Sequence, residues 1–394
     1  MSGPKPHVVV IGAGVFGGWT AWYAQLAGAR VTLVDAYAPG HSRSSSGGET
    51  RLIREDYGTR LPYMNLAIQA MELWRHWQDQ WNTTLFTKTG RLLLASPKGA
   101  KTCLSARDRL EAAGVPSEIL PSQELVKRWP QIHMDGIELG LYNPTAGLLR
   151  AREACRVVAQ RFRTAGGSLR LAKAQPGKVK QAKLETLSLS DGTHLNADIF
   201  VFACGPWLPK LFPQVLGRKL RPVRRDVFFV GPPAGDPRFS VPELPVWGFR
   251  GPSEEPRFAT YYGFPSFEGR GMKLCPMDER NDIDPDMDGR HVNAYQTKRV
   301  RDFLAYRFPL LADQPIIETR VCQVTDSVNG DFLVDRHPGW PNVWMVGGGA
   351  GHGYKHGPAL GRYVAARLLE QDRDTSLDAL FTLKNQDLDV YKRD

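Results

Sequence analysis

Short apolar runs and glycine-rich turns alternate at the amino terminus in the order of a βαβ unit. Residues 7–10 form a β-branched apolar run that predicts a buried strand, and a glycine-rich turn follows it. Residues 19–28 have helical spacing, and residues 30–35 predict a second strand. A strand, helix and strand within about 30 residues are the repeating unit of a parallel sheet. The pattern therefore predicts an α/β domain at this end of the chain.

The remaining pattern divides the chain into two kinds of region. Apolar positions at helical spacing predict helices over 61–80, 100–114, 122–129, 150–165, 296–307 and 359–370. Short apolar runs predict strands over 90–95, 198–203 and 343–346. Prolines and aromatic residues are frequent over 223–318, where the predicted strands are short. We therefore expect both ends of the chain to build one domain, which a second domain interrupts.

Composition and charge exclude several classes of protein. A chain of 394 residues is long for one core, so two domains are expected. No apolar run approaches the roughly 20 residues that span a bilayer, and the apolar start is too short for a secretory signal, which predicts a cytoplasmic protein. Five cysteines without metal-ligand spacing predict a reducing compartment and no metal site. The net charge of +10 favours anionic ligands, but no basic run with interleaved aromatics indicates nucleic-acid binding.

The first turn carries a dinucleotide-binding fingerprint. Gly12 permits a tight turn, Gly14 lets a pyrophosphate approach the backbone, and Gly17 packs the helix on the strand. The phosphates would lie at the start of the helix, where free N–H groups favour anions. Asp35 ends the second strand, 18 residues after Gly17, and would accept a hydrogen bond from a ribose hydroxyl. These positions predict dinucleotide binding without separating FAD from NAD.

Two arginines follow a Ser- and Gly-rich loop. Arg51 and Arg54 are three residues apart, which places them on one face if the segment is helical. One would contact cofactor phosphate or ring oxygens, and the other a substrate carboxylate, for which arginine is well suited. The alternative is a surface pair that neutralises Glu49, Glu55 or Asp56.

The chain resembles the monomeric sarcosine oxidase and N-methyltryptophan oxidase family, within the D-amino-acid-oxidase-like flavoproteins. The resemblance runs from residue 8 to about residue 366, and its motifs occur in the same order. They are Gly12-Ala-Gly14-Val-Phe-Gly17, Glu49-Thr-Arg-Leu-Ile-Arg54, Asn143-Pro-Thr-Ala-Gly147, Ala203-Cys-Gly-Pro-Trp207, Tyr262-Gly-Phe-Pro-Ser266 with Met272-Lys-Leu274, Cys322 with Thr325, and Gly351-His-Gly-Tyr-Lys355.

The resemblance implies a fold and a domain organisation. We expect a Rossmann-type FAD-binding domain of the D-amino-acid-oxidase-like kind with an inserted α+β substrate domain built on an antiparallel sheet. The discontinuous FAD-binding domain would comprise 1–88, 145–222 and 320–394. The substrate domain would comprise 89–144 and 223–319.

The resemblance also implies residue roles. Cys322 would bond covalently to the flavin, Lys273 would promote the reaction with oxygen, and Arg54 with Lys355 would clamp a substrate carboxylate. His352 and His356 read as hydrogen-bonding loop residues rather than metal ligands. The predicted FAD-binding residues are Gly12, Gly14, Val15, Phe16, Gly17, Asp35, Ser45, Ser46, Arg51, Cys204, Gly205, Cys322, Gly351, His352, Gly353 and Lys355. The predicted substrate-binding residues are Arg54, Tyr57, Trp247, Tyr262 and Lys355.

The chain departs from the family pattern near the substrate. Ser46 and Gly47 replace paired histidines of the flavin loop, and Met277 and Val324 replace a histidine and a tyrosine. The last two changes remove polar groups from the expected position of the substrate amine. They indicate a larger or more apolar amine than sarcosine.

The sequence thus predicts an FAD-dependent oxidase of an amino acid, N-substituted or cyclic, with an imine and hydrogen peroxide as products. The cofactor would be FAD attached at Cys322, and the partners would be a small amine or amino acid and O2, with no nucleic acid and no membrane. We expect a monomer or a weak homo-oligomer. The alternatives are a flavin dehydrogenase or a biosynthetic imine-forming oxidase acting on a larger amine, a nicotinamide-dependent dehydrogenase, and a flavin-binding module without turnover.

Overall fold

The computed structural model describes residues 5–250, 260–277, 279–371 and 374–387. Its helices are α1 (Val15–Leu26), α2 (Leu61–Trp81), α3 (Pro97–Ala112), α4 (Ser122–Arg128), α5 (Ala151–Thr164), α6 (Leu208–Leu211), α7 (Pro213–Leu216), α8 (Ala294–Arg307), α9 (Gly357–Leu368) and α10 (Thr375–Leu380). Short 3-10 turns cover Gly205–Trp207, Pro237–Phe239, Pro309–Leu311, Tyr354–His356 and Leu383–Asp387. None of the described helices has the length and apolar character to span a bilayer.

Over the described residues the strands fall into five sheets. They are β1 (His7–Ile11), β2 (Arg30–Asp35), β3 (Thr50–Ile53), β4 (Phe86–Lys88), β5 (Arg91–Ala95), β6 (Glu118–Pro121), β7 (Leu139–Asn143), β8 (Gly147–Arg150), β9 (Ser168–Leu171), β10 (Ala174–Pro176), β11 (Val179–Lys180), β12 (Lys183–Leu184), β13 (Thr186–Leu189), β14 (His194–Asn196), β15 (Ile199–Phe202), β16 (Leu220–Val230), β17 (Val246–Arg250), β18 (Tyr261–Phe264), β19 (Met272–Pro276), β20 (Ile316–Ser327), β21 (Leu333–His337) and β22 (Trp340–Gly347).

The first large sheet joins the two ends of the chain. Its order is β21-β22-β15-β1-β2-β9, and all neighbours are parallel except β21 with β22. Strands β1 and β15 are buried on both faces, which explains their continuous apolar sequences. Helices α1 and α9 cross closely here, since a Cβ at Gly361 would lie 2.6 Å from the backbone carbon of Trp19. This sheet confirms the predicted Rossmann-type α/β fold.

The second large sheet has the order β20-β16-β19-β18-β17-β5-β7-β6. Neighbouring strands are antiparallel except β17 with β5. Helix α8 covers one face, where Phe303 and Phe308 join the core of buried apolar side chains. The other face is turned toward β3, which forms a small sheet of order β3-β8-β4. Strands β10, β13 and β14 form another small sheet, and β11 pairs with β12.

The predicted domain division stays a prediction, and two of its boundaries fall inside strands. The boundary at 222/223 falls inside β16, and the boundary at 319/320 falls inside β20. Neither boundary therefore coincides with the end of a strand. These two strands pair from Leu220 with Ser327 to Val230 with Ile316, with a register shift between Phe229 and Val230, and so bridge the two predicted domains. The predicted ranges also include residues 1–4, 251–259, 278, 372–373 and 388–394, which lie outside the described residues.

Candidate active site

A cavity of about 340 Å³ lies at the carboxyl edge of the parallel sheet, where ligands bind in folds of this kind. Opposite ends of the chain line it: Gly12 and Asp35 come from the first βαβ unit, and Gly351 and Tyr354 precede α9. The two glycine-rich segments that the sequence singled out therefore meet in one place.

The fingerprint glycines are required by close backbone contacts. Gly12 has a φ of +102°, and a Cβ there would lie 2.4 Å from the carbonyl oxygen of Ala203. A Cβ at Gly17 would lie 1.8 Å from the carbonyl oxygen of Gly12, so this residue holds the helix against the turn. Gly14 lines the cavity, and its Cβ would approach only Ser46 Oγ, at 3.4 Å. Each glycine thus has the position its predicted task requires.

Asp35 is fixed at the end of β2 by backbone donors. The N–H of Ala13 donates to Oδ2 at 2.7 Å, and that of Tyr37 donates to Oδ1 at 2.9 Å. Burial raises the pKa of the Asp35 carboxyl, and the backbone N–H groups oppose that shift. The carboxyl group borders the cavity and has lone pairs left for a ribose hydroxyl.

Buried hydroxyl groups show that the cavity suits a polar ligand. Among the described residues, Ser45 Oγ and Thr325 Oγ1 are buried without a hydrogen-bond partner, and both residues line the cavity. The neighbouring Ser46 Oγ instead accepts from the N–H of Val15 at 3.0 Å, which fixes the loop to the start of α1. Buried polar atoms are rarely left unpaired, so a bound dinucleotide fits these positions.

The structure sorts the predicted cofactor residues into two groups. Those that line the cavity are Gly12, Gly14, Val15, Phe16, Asp35, Ser45, Ser46, Arg51, Cys204, Gly205, Gly351 and Gly353. Those that lie outside its lining are Gly17, Cys322, His352 and Lys355. Sequence reasoning missed further lining residues, among them Tyr37, His41, Lys173, Gln175, Lys210 and Asp286. The segment after β9 could have been identified, since carboxyl ends of neighbouring parallel strands meet at one edge.

The segment that carries the two arginines is not helical. Arg51 lies in β3 (Thr50–Ile53), and Arg54 directly follows this strand. Arg51 lines the cavity and donates to the carbonyl oxygen of Ser45 at 2.6 Å. Arg54 turns away toward Tyr57, with its guanidinium carbon 4.8 Å from the ring centroid. The two side chains therefore have separate environments. Their two roles stay predictions, and the helical reason given for them was wrong.

Cys322 lies beside Arg51 at the edge of the cavity. Its Sγ is 3.4 Å from Arg51 Nη2, and it belongs to β20, opposite Arg225 of β16. The sulfur is half-buried and packs with Val227 and Phe229. Attachment to a flavin at this position stays a prediction.

Lys273 is buried on the face of the second sheet that is turned toward β3. Its Nζ donates to the carbonyl oxygen of Thr50 at 2.9 Å and to Thr50 Oγ1 at 3.2 Å, and lies 4.5 Å from the ring centroid of Phe264. Burial, assisted by the charge of Arg51, lowers the pKa of Lys273 to about 7. A lysine with that pKa can carry or lack a proton near neutral pH.

Lys355 and Arg54 converge on Tyr57. The Lys355 Nζ donates to Tyr57 Oη at 2.9 Å and to the carbonyl oxygen of His352 at 3.0 Å. Tyr57 Oη also lies 3.0 Å from His352 Nδ1 and 2.7 Å from His356 Nε2. Burial, followed by the charge of Arg54, places the pKa of Lys355 well below its usual range. The backbone carbonyl of Lys355 accepts from the indole N–H of Trp74 at 2.7 Å, which anchors the loop.

Asp56 completes this cluster as a buried partner of Arg54, which the sequence considered only as a surface contact, and of Arg91, which it missed. Asp56 lies 2.5 Å from Arg91 and 3.3 Å from Arg54. Burial acts to raise the pKa of Asp56, but Arg54 and Arg91 outweigh it, and the net shift is downward. Arg91 belongs to β5 and pairs with Val246 of β17, which places it on the face turned toward β3. Only the strand register reveals this position.

The predicted pocket walls separate between the two faces of the sheet. Tyr262 pairs with Cys275 and lies two residues from Phe264, so it shares the face of Lys273. Trp247 pairs with Gly263 and therefore points to the opposite face, where it stacks on Phe303 with 1% of its surface exposed. This placement contradicts the prediction that Trp247 contacts substrate, because the sheet separates its ring from the cavity.

Comparison with known proteins agrees with this geometry. The model of the FAD dependent oxidoreductase family matches residues 7–367. Monomeric sarcosine oxidase from Bacillus sp. (strain B-0618) is 30% identical over 374 residues, which cover 91% of this chain and 90% of the relative. N-methyl-L-tryptophan oxidase from Salmonella heidelberg (strain SL476) is 27% identical over 362 residues, covering 92% and 94% of the two chains. The structure of L-proline dehydrogenase from P. horikoshii superposes with a TM-score of 0.84 at 17% identity, covering 99% of this chain and 100% of the other, and supports the fold.

The resemblance predicted from the sequence is thereby confirmed, and the chain belongs to the family of FAD-dependent oxidoreductases that includes the monomeric sarcosine oxidases.

Proposed function

We propose that this enzyme oxidises the C–N bond of an N-substituted or cyclic amino acid to an imine and passes the electrons to O2, which leaves as hydrogen peroxide. The observation that carries the proposal is the convergence of Arg54 and Lys355 on Tyr57 beside the cofactor cavity. Two basic side chains held together in a buried place suit a carboxylate. The relatives named for sarcosine and N-methyl-L-tryptophan support this substrate class.

The residues that line the cavity would hold FAD, which would supply a hydride acceptor that oxygen can reoxidise. The side chains of this chain supply orientation and charge. Arg54 and Lys355 hold the carboxylate, which fixes the carbon that reacts. Lys273 in its protonated form places a cation where negative charge develops on oxygen. Cys322, whose Sγ lies 3.4 Å from Arg51 Nη2, would be the residue that holds the cofactor.

Around the substrate, the chain favours a molecule larger than sarcosine. Val324 lines the cavity where the family pattern has a tyrosine. At Gly47, where the family pattern has a histidine, a Cβ would lie 1.9 Å from the carbonyl oxygen of His41. No side chain fits Gly47 without moving this loop. Tyr262 remains a pocket wall in this proposal, and Trp247 is withdrawn from it.

An anaerobic screen of amino acids tests the proposal. N-methyl, N-alkyl and cyclic amino acids should bleach the yellow absorbance of the purified holoenzyme, and admission of air should restore it with formation of peroxide. Bleaching without peroxide, but with transfer to artificial acceptors, would identify the dehydrogenase alternative. Failure of every amine to bleach the cofactor would contradict an enzymatic role.

The covalent tether has its own test. Acid precipitation of the wild-type protein should leave a yellow pellet, whereas Cys322→Ser should release the colour into the supernatant. Cys275→Ser is the matched control, since Cys275 lies in the same apolar cluster as Cys322 and should keep the pellet yellow.

A further inference from the structure

The proposed oxidation requires a proton acceptor. Hydride leaves the carbon readily only if the neighbouring nitrogen has a free electron pair. Aliphatic amines are protonated at neutral pH, because their ordinary pKa values lie well above it. An amino acid therefore arrives as a zwitterion, and one proton must leave its nitrogen before oxidation.

The Nζ atom of Lys355 has one tetrahedral position open to such a proton. Its Nζ is bound to Cε and donates to Tyr57 Oη and to the carbonyl oxygen of His352. The described residues supply no third hydrogen-bond partner to this nitrogen. The side chain is 4% exposed, so bulk water does not fill the remaining direction freely. A tetrahedral nitrogen in this setting presents either a lone pair or a third N–H in the remaining direction.

The hydrogen bonds of Tyr57 define its part in this arrangement. His352 Nε2 lies 3.2 Å from the carbonyl oxygen of Gly330, and a carbonyl can only accept, so Nε2 carries the hydrogen. The neutral ring then has an acceptor at Nδ1, to which Tyr57 O–H donates at 3.0 Å. The Tyr57 oxygen is left to accept from His356 Nε2, which lies 2.7 Å away, and from Lys355. This bond is available whether Lys355 carries two hydrogens or three, so Tyr57 holds Nζ in place in both states.

The charges around Lys355 come from three segments. Arg54, Asp56 and Glu55 follow β3, and Arg91 extends from β5. His352 and His356 belong to its own loop, and burial, followed by the charge of Lys355, keeps their pKa values well below the usual range. Burial and Arg54 displace the Lys355 pKa in the direction of the neutral amine, and Asp56 opposes them. A carboxylate brought in by the substrate would favour the ammonium form.

From this geometry we propose that Lys355 receives the proton that the substrate nitrogen must lose, with Tyr57 as its positioning residue. The inference rests on the proposed function. In the step, the N–H bond of the substrate ammonium breaks and its electron pair stays on the substrate nitrogen. A new N–H bond forms at Nζ of neutral Lys355, which becomes the cation that holds the carboxylate. Nitrogen and carboxylate of an α-amino acid flank one carbon, so both reach a single Nζ.

Proton counting distinguishes this role from a fixed positive charge. A zwitterion supplies its own proton, so its binding should draw none from solution. A carboxylate without an amine must instead take one from the buffer. The matched pair is 2-aminoisobutyrate, whose nitrogen-bearing carbon has no hydrogen to lose, and pivalate, in which a methyl group replaces the ammonium group.

Calorimetric titration of the holoenzyme in two buffers of different ionisation enthalpy measures this difference. Pivalate should bind with uptake of close to one proton, and 2-aminoisobutyrate with uptake close to zero. The affinity for pivalate should fall about tenfold per pH unit above the Lys355 pKa, as linkage of one proton requires. Equal proton uptake by the two ligands would overturn the proposal.

Lys355→Arg provides a second test, since a guanidinium holds carboxylates but does not give up its proton. This variant should bind pivalate without proton uptake. Its kcat/KM for a bleaching substrate should fall about 10²-fold at neutral pH, within the usual range for a lost acid–base group. The activity should recover about tenfold per pH unit as the substrate amine loses its proton in solution. An unchanged pH profile in this variant would overturn the proposal.

Tyr57→Phe keeps the aromatic ring under Arg54 and removes only the oxygen that accepts from Lys355. It should shift the pH profile of kcat/KM. Pivalate should still bind with uptake of a proton. Failure of the oxidase proposal is recognised separately: no amine would then bleach the cofactor, whereas the two-ligand calorimetry would still report on Lys355.

Discussion

Two buried lysines occupy contrasting parts of the active site. Lys273 and Lys355 are each 4% exposed, and burial is the main cause that lowers the pKa of both. Lys273 extends from a strand, bonded to Thr50 and packed over the ring of Phe264. Lys355 belongs to a loop before α9, among arginines, carboxyl groups and imidazoles. The same side chain thus has few polar contacts in one region and many charged and polar neighbours in the other.

The contrast follows from the elements that carry the two residues. A central strand of the second sheet holds Lys273 above β3, where Thr50 and the ring of Phe264 contact it and the charge of Arg51 acts on it. A loop places Lys355 where several segments meet, so that its environment is polar. We therefore expect substitutions of Lys273 to affect the reaction with oxygen and substitutions near Lys355 to affect the substrate.

The largest expected effect is on reoxidation. Lys273→Met removes the cation near the developing charge on oxygen, and reoxidation by O2 should slow about 10²- to 10³-fold, as for other lost electrostatic groups. Anaerobic bleaching by substrate should proceed at close to the wild-type rate. Stopped-flow absorbance separates the two half-reactions. Thr50→Val is the matched control, because the backbone carbonyl bond to Lys273 remains. Equal slowing of both half-reactions would remove the functional contrast between the lysines.

The second effect concerns substrate binding. Arg54→Met removes one member of the carboxylate clamp and frees Asp56 from one of its two arginines. The Kd for simple carboxylates should rise about 10- to 100-fold, the range for a lost hydrogen bond to a charged group. Spectral titration of the holoenzyme measures it. Lys273→Met should leave this Kd unchanged, and a similar weakening there would show that both lysines act on the substrate.

From the sequence, the residues of the site could be predicted better than the contacts they make with distant segments. Gly12, Gly17 and Asp35 could be assigned because their tasks depend on contacts within one βαβ unit. Arg91 could not, since its approach to Asp56 depends on the pairing of β5 with β17, which are distant in sequence. The error at Trp247 has the same origin, because a shift of one residue in a strand exchanges its faces.

A third effect is the pH dependence of stability. Lys273 has a pKa of about 7 in the folded protein, against 10.5 for an ordinary lysine. Between these values the unfolded chain binds more protons than the folded one, so this residue makes stability rise with pH in that window. Below about pH 7 both states are protonated, and the contribution is constant.

Comparison of wild type with Lys273→Met isolates this contribution. From about pH 7 to about pH 8.5, the unfolding free energy of the wild type should rise relative to the variant by about 2 kcal/mol, at about 1.36 kcal/mol per pH unit. Denaturant titrations at several pH values give the difference. Parallel curves for the two proteins would mean that Lys273 keeps its proton throughout, and the contrast with Lys355 would then lie in proton affinity as well as in neighbours.

The smallest expected effect is a difference in KM between substitutions on the two faces of the second sheet. Tyr262 lies on the face of Lys273, and Trp247 lies behind it against Phe303. Tyr262→Phe should change the KM of a bleaching substrate by a few-fold, since one hydrogen bond contributes about 1 kcal/mol. Trp247→Phe should lower stability by roughly 1 kcal/mol and leave KM unchanged. Steady-state kinetics and thermal unfolding of both variants give the comparison. A change of KM in Trp247→Phe alone would restore the tryptophan to the substrate pocket and would require strand β17 to present its other face.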